Sequence, residues 1–265
     1  MKFITKPIAQ LKSLCRMSLR KWQAIYVAAG IALLPAAPLL YLQGRITRWK
    51  VGVLPYAKDP EGVSGDGDGT VSLLVIGEST VAGLGARTHK QALAGRFGYW
   101  LGKHLGKSVR WRAIGKNGVT ARETLKELVP LIEPRADFDY ILVGLGGNDV
   151  LKLTSPKRFR RDIGELLSIL RRRFPQAVIF ISNCPMIKYS PVLPQPVKGI
   201  LWQLSKMHDA NMRDLVSQLD RIYYYPQPAG FETDGFFADG IHPSEKGYDD
   251  WARAMVDYFA ECLRR

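Results

Sequence analysis

The chain has 265 residues, enough for one sizeable core or for one domain with an appendage, and its 46% hydrophobic and 23% charged content is ordinary for a globular protein. Its formal charge of +14 suggests nucleic acid until it is mapped: residues 1–50 hold nine Lys/Arg and no Asp or Glu, while the other 215 residues carry 29 bases against 24 acids. The excess is an N-terminal feature, and Cys15, Cys184 and Cys262, far apart and without CxxC or Cys/His spacing, read as buried or idle thiols in preference to a disulfide framework or a zinc site.

Residues 1–23 form a basic segment, followed at 24–42 by the charge-free run AIYVAAGIALLPAAPLLYL. As a helix this run is about 28 Å long, close to the hydrocarbon thickness of a bilayer. Pro35 and Pro38 kink it, which membrane helices tolerate. Six bases precede the run and three follow it, a bias that places the N-terminus inside and the rest of the chain on the extracytoplasmic, periplasmic side. We expect a membrane anchor; a cleaved signal peptide and a soluble arm packed on the folded domain are the alternatives. Residues 43–70, rich in Pro, Gly and Asp towards their end, are expected to be a linker, with the folded domain at 71–265.

From Val71 onward, apolar runs alternate with helical patterns. Strands are predicted at 72–77, 109–114, 140–144, 177–182 and 222–225, with helices near 91–105, 120–132, 156–174, 197–219 and from Ser244 to the end. The helix after Pro156 repeats Phe159, Ile163, Leu166, Leu167, Leu170 and Phe174 with a 3.6-residue period. The last helix repeats Tyr248, Trp251, Met255, Tyr258, Phe259 and Cys262 behind a Ser244 cap. Five short, mostly continuous apolar strands between helices predict an α/β fold: a three-layer α/β/α sandwich, flavodoxin-like, with a five-stranded parallel sheet.

Such sheets bind ligands beyond the carboxyl ends of their strands. The first strand leads into Gly77-Glu78-Ser79-Thr80, the second into Asn117-Gly118, the third into Gly146-Gly147-Asn148-Asp149, and the fifth is followed by Asp239-Gly240-Ile241-His242. Ser79 can be read as a helix cap, or as a nucleophile on a strand-to-helix turn. Acyl transfer needs a serine, an imidazole to take its proton, a carboxylate to hold the imidazole, and N–H donors for the oxyanion. Backbone N–H groups of Ser79 and Gly118 and the amide of Asn148 can supply three such donors.

Four blocks in this order, from Leu73 to Tyr248, resemble the SGNH hydrolases, or GDSL esterase/lipase family. The resemblance implies Ser79 as nucleophile, His242 as base and Asp239 as its partner, with Ser79, Gly118 and Asn148 as the oxyanion hole. It implies an ester or lipid substrate and a metal-free, cofactor-free mechanism. Glu78 departs from the family, which usually has Asp there, and Ala121 stands where the second block has glycine. Two functional classes remain: an esterase acting on acyl lipids, small esters or O-acetylated sugars, and an inert membrane-tethered binding module.

Other motifs fail. Leu84 follows Gly83 where a P-loop needs Lys, and GLGGND lacks the third glycine of a dinucleotide fingerprint. His89, His104 and His208 have no ligand pattern and are expected on the surface or on helices. Arg158, Arg160, Arg161 and Arg171 to Arg173 are expected to line a solvated helix face. Leu201, Trp202, Met207 and the Pro-rich segment 185–196 suit either a substrate wall or ordinary core.

Overall fold

The computed structural model describes residues 18–263, with side chains through residue 260. Lys2, Lys6, Lys12, Cys15 and Arg16 lie outside the described residues, as does the Cys262 side chain. Six strands form one sheet: β1 (Glu61–Ser64), β2 (Thr70–Gly77), β3 (Ser108–Gly115), β4 (Tyr140–Gly144), β5 (Val178–Ile181) and β6 (Ile222–Tyr224). Eight α-helices accompany them among the described residues: α1 (Leu19–Leu33), α2 (Ala37–Val51), α3 (Leu93–Leu105), α4 (Ala121–Glu127), α5 (Gly147–Leu151), α6 (Pro156–Arg173), α7 (Val197–Val216) and α8 (Glu245–Leu263).

The sheet order is β1-β3-β2-β4-β5-β6, with β2 to β6 parallel and β1 antiparallel to β3. Side chains alternate across the sheet, so Leu73 and Val75 enter a core under α3 and α8, while Leu74 and Ile76 enter a second core under α4, α6 and α7. Both faces are covered, as the continuous apolar strands require. The α6 stripe is buried from Phe159 to Leu170 behind a Ser155 cap. At the start of α8, Gly247 N–H donates to Ser244 Oγ.

The sixth strand corrects the expected five. It arises inside the segment read as linker, 43–70, whose first third is also helical as the end of α2. Gly- and Asp-rich composition resembles a flexible tether, but here it serves close packing: Gly62 lies against the Trp111 ring, whose Nε1 donates to Ser64 Oγ at 2.9 Å. Ala57 and Lys58 donate to the carbonyls of Ala82 and Arg87, joining this segment to the loop after β2. Of the α6 arginines, Arg158, Arg161 and Arg172 are exposed as expected, while Arg171 and Arg173 depart from a solvated face. Arg171 donates to five backbone carbonyls, those of Phe174, Pro175, Ala177, Asp220 and Arg221, and Arg173 reaches those of Ile132 and Glu133.

The apolar run lies within a 33-residue helical stretch, Leu19–Val51, with a mean hydropathy of 1.9 in its most apolar window, long and apolar enough to cross a membrane. A single 3-10 turn at Leu34–Ala36, containing Pro35, separates α1 from α2. Three hydrogen bonds bind the stretch to the domain. Lys157 N–H donates to Gln23 Oε1 at 3.1 Å, Tyr26 Oη to the Leu153 carbonyl at 2.6 Å, and Gln43 Nε2 to the Gln195 carbonyl at 2.9 Å.

Strands β3, β2 and β4 end level, with Gly115, Gly77 and Gly144 side by side in register. A Cβ at Gly77 would overlap the Gly144 carbonyl, and φ there is +155°. Gly77→Ala is therefore expected to destabilise the chain by more than about 3 kcal/mol, since neither backbone can move without breaking the ladder. Urea unfolding of the variant beside the parent checks this, and an unchanged midpoint refutes it.

Candidate active site

The chain order reverses at β2, with β3 on one side and β4 on the other, so a crevice opens beyond its carboxyl end. Ser79 lies there and is buried. No helix follows it directly, so the expected strand-to-helix turn is replaced by a series of turns that delays α3 until Leu93, and the cap reading has no helix to cap. The Val81 and Ala82 N–H groups donate to the Glu78 carbonyl, and Leu84 N–H to that of Ser79. These bonds curl the loop back on itself.

The loop after β4 is tied to this turn by a buried carboxylate. Glu78 accepts three hydrogen bonds, from Gly147 N–H at 2.8 Å, Asn148 N–H at 2.7 Å and Asn148 Nδ2 at 2.7 Å. One N–H of the Asn148 amide is thereby committed and the plane of the amide is set, leaving its second N–H as a further donor. Burial pushes the Glu78 pKa up to about 7 against the pull of these donors. The loop after β3 is held in turn by Asp149, whose Oδ2 accepts from Ala121 N–H at 2.9 Å at the start of α4. Burial raises the Asp149 pKa to about 6. Gly118 occupies that loop with φ +86°, a conformation that favours glycine.

The fourth block arrives from the far side of the sheet. Asp239 Oδ2 lies 2.8 Å from His242 Nδ1, and Asp239 Oδ1 accepts from the N–H groups of Ile241 and His242. Burial raises the Asp239 pKa, but the hydrogen bonds from the His242 ring and backbone outweigh it, and the net shift is downward. An ionised Asp239 fixes the proton on Nδ1 and leaves Nε2 as the free base. The segment docks on the Ser79 loop: Tyr248 Oη donates to the Leu84 carbonyl at 2.7 Å, Arg87 pairs with Glu245, and Gly85 lies against the Pro243 carbonyl.

Side-chain hydrogen bonds thus join His242 to Asp239 and Asn148 to Glu78. Ser79 and Gly118 come to the same edge through their loops. The sequence motifs assign no role to Glu78 and Asp149; the signal for Glu78 is a charge directly after the glycine that ends a buried strand. His104 lies in the last turn of α3. His89 corrects the expectation, being buried in a loop with Nδ1 3.0 Å from the Lys58 carbonyl. His208 lies in α7 but fully buried, its ring stacked on Phe159 at 4.1 Å and its pKa lowered by burial to about 3, so it stays neutral. Leu201 belongs to a small core with Val150, Ile187 and Leu193, and Met207 is also buried.

Residues 75–249 match the model of the GDSL-like lipase/acylhydrolase family. The chain belongs to that family. Solved structures of similar fold include the lipase Lip_vut3 from a goat rumen metagenome, at 19% identity and a TM-score of 0.56 over 72% of this chain and 97% of that one. TesA is 21% identical with a TM-score of 0.54, covering 72% of this chain and 99% of its own. The acetyl xylan esterase Est2A from Butyrivibrio proteoclasticus is 15% identical with a TM-score of 0.51, covering 73% and 64%. The chain spans only 56% to 64% of several of the larger structures it matches. No match was found among curated protein sequences.

A carboxyl whose pKa is raised by folding binds its proton more tightly in the native chain than in the unfolded one. Stability is then greatest at the acid end and falls as pH rises from the ordinary Glu value of 4.5 to about 7. For Glu78 the whole fall is about 3 kcal/mol. Glu78→Gln is expected to flatten the decline in urea stability between about pH 5 and about pH 8, leaving the smaller part due to Asp149. Equal slopes in variant and parent would show that Glu78 does not carry its charge into the fold at that cost.

Proposed function

We infer that the enzyme hydrolyses carboxylic esters through a Ser79-His242-Asp239 triad and an acyl-enzyme intermediate. The observation that carries this reading is the Asp239–His242 hydrogen bond, in a loop docked on the turn that bears Ser79. His242 Nε2 takes the proton of Ser79 Oγ as that oxygen attacks the ester carbonyl carbon. The oxyanion accepts hydrogen bonds from the backbone N–H groups of Ser79 and Gly118 and from Asn148 Nδ2. Collapse expels the alcohol, which leaves with the proton from His242, and the Ser79 acyl ester remains. Water, deprotonated by the same imidazole, then releases the acid.

Glu78 acts here through Asn148, and its three donors favour the charged form that holds the amide in place. An inert binding module has no need of an ionised carboxylate on a half-buried imidazole, which argues for turnover. The substrate reading favours acyl lipids or small acyl esters. A carbohydrate O-acetylester is the second reading, motivated by the acetyl xylan esterase among the similar structures. We place the enzyme at a membrane through residues 24–42. The bonds at Gln23 and Gln43 lie about 30 Å apart along the helical stretch, so the stretch runs beside the domain and the two meet the bilayer together.

Ser79→Ala is expected to lower ester hydrolysis by about 10⁴- to 10⁶-fold and to abolish labelling by a fluorophosphonate. Labelling of the variant at the parent's stoichiometry would refute the assignment. Asn148→Ala is expected to lower kcat by about 10²- to 10³-fold with KM nearly unchanged. A rise in KM at constant kcat would instead make Asn148 a ground-state binding residue.

A further inference from the structure

Helix α2 has two unlike faces. Leu39, Leu42, Gln43, Ile46, Thr47 and Lys50 recur at steps of three and four, which sets them on one side of the helix. With Val192 and Pro194 opposite, they line an open groove of about 780 Å³ that reaches Asp239, with Leu39 73%, Leu42 54% and Ile46 46% exposed along it. The volume lies within the roughly 300–1,000 Å³ of sites for small molecules. Around the helix, Tyr41, Arg45, Arg48 and Trp49 form another stripe, with Tyr41 68% and Trp49 82% exposed. Aromatic rings among bases are the composition of a membrane–water interface.

The walls are tied to the catalytic loop. Gln43 Nε2 holds the Gln195 carbonyl at 2.9 Å, and Ser190 Oγ donates to the Gly240 carbonyl at 2.7 Å, between Asp239 and His242. Residues 39–51 lie outside the 75–249 stretch that matches the family, so this wall is not part of what that match covers.

We propose that the groove between α2 and the 190–195 loop binds the fatty acyl chain of a membrane lipid ester, and that α2 brings that chain from the bilayer to the Asp239 side of the triad. This rests on the hydrolase reading above and names its substrate class. An O-acetyl sugar leaves an apolar wall of leucine, isoleucine, valine and proline unused. A long acyl chain covers it, gaining roughly fourfold in affinity for each methylene buried. The anchor is thereby part of the substrate site and does more than tether.

The test uses the full-length protein in detergent micelles and a series of monoacylglycerols from acetyl to palmitoyl. In the parent, kcat/KM is expected to climb with chain length. Leu42→Trp and Val192→Trp fill the groove from opposite walls, and each is expected to lower the palmitoyl-to-acetyl ratio of kcat/KM by about tenfold or more, the loss of roughly two buried methylenes. Two walls are used so that misfolding of one variant does not decide the matter. A flat profile in the parent, or a ratio unchanged in both variants, overturns the groove even if acetyl esters are cleaved and the fluorophosphonate still labels Ser79. If neither labelling nor turnover occurs at any chain length, the hydrolase reading has failed. A palmitoyl glyceride bearing a diazirine then decides the groove alone: crosslinks to Leu42 or Val192 support a lipid site, and crosslinks confined to other surfaces overturn it.

Discussion

A carboxylate with no water around it must find its donors in the protein, and at the edge of this sheet Glu78 finds three on one loop. The turn bearing Ser79 cannot move without taking Gly147 and Asn148 with it. Asp149, the next residue, holds the start of α4 in the same way, so the loops after β2, β4 and β3 form one hydrogen-bonded chain. Two buried carboxyls thus do the positioning, and both resist ionisation through burial. Precision at the site is set against stability, which helps explain why the surrounding strands are so completely apolar. A longer side chain than the family's usual Asp at this position reaches the neighbouring loop without requiring the strands to approach further.

Most of the parallel sheet was legible because buried strands leave unbroken aliphatic runs, as in residues 73–76 and 141–143, and amphipathic helices leave periodic ones. The His242–Asp239 pairing was legible because three residues in a tight loop bring two side chains together. Other features depended on partners distant in sequence. The link between Glu78 and Asn148 spans 70 residues, and nothing local to Glu78 distinguishes a surface turn from a buried anchor. The environment of His208 is of the same kind, since its burial is set by Phe159 on another helix. Arg171 and Arg173 at the end of α6 read as solvent-facing from their charge, but their reach lets them bind backbone carbonyls beyond the helix end.

The N-terminal third illustrates how composition and packing diverge. A run without charges says that water is unnecessary to it, without saying what replaces the water. Here part of the replacement is the domain itself, through Gln23, Tyr26 and Gln43, and the remaining face carries exposed Ile25, Val27, Ile31 and Leu34. The polar groups that make those contacts lie within or beside the apolar run, where they are the least conspicuous feature of the sequence.

Strand β1 has a consequence for the life of the protein outside a membrane. It covers the outer edge of β3, a strand that would otherwise present a row of unpaired N–H and C=O groups together with the Trp111 ring. Uncovered edges of this kind recruit strands from other molecules. A four-residue strand bearing Glu61, paired with Arg112, and a glycine in its middle, is poor material for such recruitment. Proteolytic nicking between the helical stretch and Asp59 would leave this guard in place. A cut after Ser64 would sever it from the domain and leave the β3 edge open to strands from other molecules.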